Sequence, residues 1–303
     1  MADVWRSFRQ GWRSAGALWP VVLLLYLVDT ALALVLAIPP GVQLAQLFGR
    51  STMAADLLGP YSFDWVIEAT NGGEQSPFPW PLLLLVPLLS LLVGTFLRGG
   101  TLAALAAGPT EFRWVGFFSD CARFFGRFIL LLLLFVPGLL AVGLAVLVAG
   151  LAVGLLPLPE AAGSAGLAAI LALSIFLLLA VLDYARISLV LDPERSTARH
   201  VGRSVRFVVG RFPRVALLGL GFALAAALIA ALYPALLQLF PFFDTFVAGL
   251  VAQQAVILLA TWQRVAQLGG EMALYGVSAR HPPAQLGRGR RFRPLASSGP
   301  RQG

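Results

Sequence analysis

From Phe128 to Leu156 the chain runs without one charged side chain, a stretch longer than the roughly 20 apolar residues needed to cross a bilayer. Five further apolar runs approach or exceed that length: Trp19–Ile38, Trp80–Leu97, Leu167–Val190, Val215–Phe240 and Phe246–Leu268. A water-soluble core cannot absorb them all, because 59% of the 303 residues are hydrophobic and only 12% are charged. The sequence predicts an all-α polytopic membrane bundle over residues 1–277 and a basic, disordered cytoplasmic tail over 278–303. The first run follows Arg6, Arg9 and Arg13, as in a signal peptide. It exceeds the usual secretory core of about 7–15 residues, however, and reads as a span.

The charge pattern sets the orientation. All 22 basic residues are arginine, and the formal charge is +8. If the chain crosses six times, 21 of the 22 arginines fall on the side shared by both termini, with only Arg50 opposite. The positive-inside tendency then places both termini in the cytoplasm. The arginine, alanine, glycine and proline bias fits a GC-rich bacterial genome and an inner-membrane location. The cations are topological charge and a surface for anionic lipid, so nucleic acid is not expected as a partner. In the 41–78 connection, short amphipathic pieces are predicted at about 45–58 and 63–69, the second capped by Ser62.

A threefold pattern runs through the spans. Each even span ends with an aromatic residue two before an arginine: Phe96-Leu97-Arg98, Tyr184-Ala185-Arg186 and Trp262-Gln263-Arg264. Each odd span follows a basic amphipathic stretch, at Arg13, Arg123 and Arg206. This predicts three helical hairpins, each introduced by a cytoplasmic interfacial helix. The same belts also recur at any cytoplasmic interface, so the pattern alone leaves true repetition open.

Ionisable groups in the hydrocarbon region are costly and each needs a partner or a use. Asp29 lies mid-span, suited either to relaying protons or binding a cation, or to hydrogen bonding with a neighbouring span as a carboxyl group that is neutral or partnered by arginine. Asp183 and Arg186, three apart on one helix, can pair. Gln253, Arg264, Gln267 and Glu271 line one stripe of the last span. These residues, with Arg98, form the candidate intramembrane polar cluster, which would either hold an anionic headgroup or charged solute or simply tie helix ends together. No catalytic motif is present, and lone Cys121 with the distant His200 and His281 gives no metal-ligand spacing. No cofactor and no enzyme activity are expected.

The stretch from Asp183 to Ser196, followed by Gly202-Arg203-Ser204-Val205-Arg206-Phe207-Val208 and Gly210-Arg211-Phe212, resembles a set of bacterial six-span proteins without assigned chemistry. These in turn are similar to the membrane domain attached to some glycerophosphodiester phosphodiesterases. The catalytic domain of those enzymes has no counterpart here, so the resemblance implies a membrane module and no phosphodiesterase residues. The expected function is binding or moving lipid or a small solute. The alternative is a scaffold or regulatory partner that docks another protein.

Overall fold

The computed structural model describes residues 1–48, 80–154, 160–193, 196–239 and 246–279. Among these residues eight α-helices follow one another: α1 Ala2–Ala17, α2 Trp19–Phe48, α3 Trp80–Ala107, α4 Trp114–Gly154, α5 Glu160–Leu191, α6 Thr197–Gly210, α7 Phe212–Leu239 and α8 Phe246–Ala279. No strand occurs among the described residues. The amphipathic pieces predicted at 45–58 and 63–69 and the 278–303 tail lie largely or wholly outside them.

Among the described residues, four helical stretches are long and apolar enough to cross a membrane: Pro87–Ala107, Trp114–Leu151, Ala165–Leu191 and Phe212–Leu239. The bent pair α1–α2 makes a fifth if counted as one. α8, interrupted by Gln253, Gln254, Gln263, Arg264, Gln267 and Glu271, is not among them. On α7, Leu220, Leu224 and Leu228 repeat every four residues and stand 66%, 61% and 65% exposed. Such a stripe is unfavourable in water and natural against lipid.

Two breaks share one cause. Continuing α1 would require Pro20 to bond to the Gly16 carbonyl, and continuing α6 would require Pro213 to bond to that of Val209. Proline has no N–H to give, and its ring clashes with that carbonyl. Each helix therefore stops one residue before an aromatic-Pro pair, at Leu18 (φ −103°, ψ 34°) and at Arg211 (φ −130°, ψ 26°). The Leu18 N–H donates back to Ser14 and the Arg211 N–H to Phe207, both at 3.0 Å. The carbonyls of Leu18 and Arg211 then accept the first N–H groups of the next helix. The corresponding position before the third long span is Ile129, and there no break occurs. α4 runs unbroken for 41 residues, through Pro137, so the amphipathic stretch around Arg123 is the first part of the spanning helix. Likewise α2 continues past Pro39-Pro40, where the sequence predicted the span to end.

The chain divides into two compact units, Leu23–Thr95 and Met1–Val22 with Phe96 onward. The first consists of α2 beyond Val22 and α3 up to Thr95, with Asp29 half-buried on α2. In the second, α1 lies along α8 and touches α7, α5 packs on α4 and α6, and α8 packs on α7 and α5.

The three aromatic-x-Arg segments make the same kind of contact. Phe96 meets Phe125 of α4 edge-on at 5.7 Å, Tyr184 meets Phe207 of α6 at 4.8 Å, and Trp262 meets Trp12 of α1 edge-on at 6.1 Å. Two residues after each arginine, the helix presses on that same amphipathic segment. A Cβ on Gly100 would lie 2.5 Å from the Cys121 Sγ, Ser188 bonds to His200, and the Ala266 carbonyl lies against Gly11.

Candidate functional site: a polar cluster near the end of α5

Asp183 and Arg186 sit one turn apart on α5, so their side chains leave the helix on the same face. The Arg186 guanidinium is 3% exposed and donates from Nη1 to Asp183 Oδ1 at 2.9 Å. Arg98 of α3, half-exposed, brings a second guanidinium to 3.6 Å from the same oxygen. The far face of Arg186 lies over the Phe128 ring, 6.0 Å from its centroid. From α8, half-buried Gln267 donates to Glu271 Oε1 at 2.9 Å, and Glu271 itself is buried.

The cluster is under-satisfied. Arg186 Nε, the Tyr184 hydroxyl and Glu271 Oε2 are all buried without a hydrogen-bond partner among the described residues. Such atoms are uncommon, and each costs about 1–3 kcal/mol where nothing meets it. Tyr184 lies between Asp183 and Arg186 in the chain, and its ring meets Tyr275, one turn beyond Glu271 on α8, at 6.2 Å, so the three residues belong to one neighbourhood. Tyr275 at 6.2 Å and Phe207 at 4.8 Å from the Tyr184 ring wall it on one side. The cluster combines donor groups on Arg98, Arg186 and Tyr184 with the carboxyl group of Glu271, a set suited to an anion or a zwitterion.

Of the residues predicted for the cluster, Arg98, Asp183, Arg186, Gln267 and Glu271 gather near this end of α5. Gln253 and Arg264 are exposed on α8, and Asp29 belongs to the other unit. The stripe argument placed Gln253 and Glu271 on one face but ignored depth. Eighteen residues of helix separate them by about 27 Å.

Sequence reasoning missed Tyr184 as a cluster member, because its aromatic-x-Arg position reads as a belt residue. It also assigned His200 no partner. His200 is fully buried on α6, and its Nδ1 shares a 2.8 Å hydrogen bond with Ser188 Oγ of α5. The spacing of 12 residues across a turn leaves no periodic trace. Nearby, Arg203 bonds to Asp192 at 3.3 Å and Arg127 donates to the Pro193 carbonyl, so the α5–α6 turn is clamped from two sides.

Burial holds the His200 imidazole below its ordinary value near 6.5. Arg127 adds to this, and Asp192 opposes it in part. The folded state therefore prefers neutral His200, and its contribution is complete above about pH 6.5. It is lost as pH falls from 6.5 toward the lowered folded value. Protection factors of the α6 amides, which already discount the slower intrinsic exchange at lower pH, are expected to fall between pH 7 and pH 5 in the wild type, and His200→Gln should flatten that dependence.

Helical architecture with several span-length apolar helices makes this an all-helical, multi-pass membrane protein. No protein-family model, curated protein or solved structure matches the chain.

Proposed function

We propose that the chain is a non-enzymatic bacterial inner-membrane protein that binds, and through binding senses or moves, a lipid or small solute with an anionic group. In this reading α2, α3, α4, α5, α7 and α8 are six spans in three hairpins, with both termini in the cytoplasm. Three features support the layout: the arginine asymmetry, the aromatic contact repeated on α3, α5 and α8, and the matched breaks at Leu18 and Arg211. Although α8 is more polar, its 34 residues reach about 50 Å. It lies along α1 and α7 rather than standing alone in lipid.

The observation that carries the functional reading is the group of three partnerless buried atoms, Arg186 Nε, the Tyr184 hydroxyl and Glu271 Oε2, at one helix junction. A structural tie would be expected to satisfy its own atoms, whereas a binding site leaves them for the ligand. The test is mass spectrometry of lipids and small molecules retained by the purified protein, comparing wild type with Asp183→Ala/Arg186→Ala. One species enriched in the wild type and lost in the variant supports the reading. Generic retention, equal in both, makes the cluster structural and favours the scaffold alternative.

A further inference from the structure

The candidate spans hold a second feature, independent of the polar cluster. Between α4 and α5 lies a cavity of about 400 Å³, lined on α4 by Leu134 and Gly138, on α5 by Ser174 and Leu178, and at one end by Val201 and Val205 of α6. Its volume falls within the range of about 300 to 1,000 Å³ typical of small-molecule sites. Ser174 contributes the only polar side chain of the lining. Leu134 is 46% exposed and Val205 42%, so the cavity opens on the side of the protein rather than being sealed in the core. Gly138 creates the depression, since α4 presents no side chain where the Leu178 methyl approaches to 3.3 Å of a would-be Cβ.

Both long walls belong to stretches that meet the requirements for a membrane span, so hydrocarbon is the medium outside. α6 closes the groove at the end where α5 turns, and this amphipathic helix brings Arg199, Arg203 and Arg206 to that level. Arg127 of α4 reaches the same turn through the Pro193 carbonyl. A lipid whose chain lies upward between α4 and α5 therefore has its headgroup at the level of four arginines, of which Arg203 is engaged by Asp192 and Arg127 by the Pro193 carbonyl. From this we infer that the α4–α5–α6 groove binds one acyl chain of an anionic phospholipid of the cytoplasmic leaflet, retained specifically rather than as bulk solvent. The inference rests on the membrane reading proposed above but not on the Asp183–Arg186 cluster.

The experiment uses the full chain, delipidated in detergent and titrated in native mass spectrometry with phosphatidylglycerol or phosphatidylcholine of identical chains. Gly138→Leu fills the groove from α4, Ser174→Leu from α5, and Gly143→Leu is the control, because a Cβ at Gly143 meets nothing within 4 Å. One phosphatidylglycerol per chain is expected on the wild type and on Gly143→Leu, with affinity at least about tenfold weaker in both groove variants. Equal affinity in the groove variants and the wild type overturns the site. Equal retention of phosphatidylcholine overturns the headgroup assignment. Asp183→Ala/Arg186→Ala leaves the groove intact, so phosphatidylglycerol lost only in that variant points to the polar cluster and also counts against the groove.

Discussion

Replacing Asp183 by alanine is expected to cost about 3–5 kcal/mol of stability, the range for removing one partner of a buried ion pair. Arg186, 3% exposed, keeps its charge but loses the acceptor of its 2.9 Å hydrogen bond. Arg98, 3.6 Å from the same oxygen and half-exposed, can turn to solvent and adds little to the penalty. Removing both charges, as Asp183→Ala/Arg186→Leu, should recover most of the loss, because the Arg186 charge that Asp183→Ala strands is then gone as well. Denaturant-driven unfolding of the four members of this double-mutant cycle gives the answer directly. If the double variant is as unstable as Asp183→Ala, the pair is not the source of the effect.

The second large effect is at Gly11. A Cβ there would stand 2.2 Å from the Ala266 carbonyl oxygen and 2.8 Å from the Gly270 nitrogen, both backbone atoms that cannot step aside. Gly11→Ala must push α1 away from α8 and strain the ring contacts across the junction. Phe8 lies 4.7 Å from Phe222, and Trp12 lies 6.1 Å from Trp262. Overpacking of about 1–3 kcal/mol combined with aromatic pairs of about 0.5–1.5 kcal/mol each predicts a loss of roughly 3 kcal/mol. Gly16→Ala, one and a half turns further along the same helix, is the contrast. Its Cβ would meet only the Trp262 ring at 3.7 Å, and alanine improves helix propensity by about 1 kcal/mol. Protease accessibility of α1 should rise for Gly11→Ala and stay unchanged or fall for Gly16→Ala.

How much of this was legible in sequence depended on whether a contact lay along one helix or between two. The Asp183–Arg186 pair and the Gln267–Glu271 bond obey helical spacing and could be read directly. Arg98 could be linked to Arg186 only through the shared aromatic-x-Arg pattern, which gives equivalent positions but not the approach to a common carboxylate. Nothing in the composition of α1 says that Gly11, rather than Gly16, is the point of closest approach, since that depends on how α8 lies across it. The absence of a break in α4 was legible in principle, because Ile129 replaces the proline present at positions 20 and 213. The Ser188–His200 bond has no such signal, as any serine near that turn would read alike.

The packing of α1 on α8 also bears on how the chain is made. Gly11 and Ala266 are 255 positions apart, and ribosomes add about 5–20 residues per second. At that rate α1 precedes its partner α8 by roughly 13–50 s. Only when α8 has been synthesised can the two be stapled together.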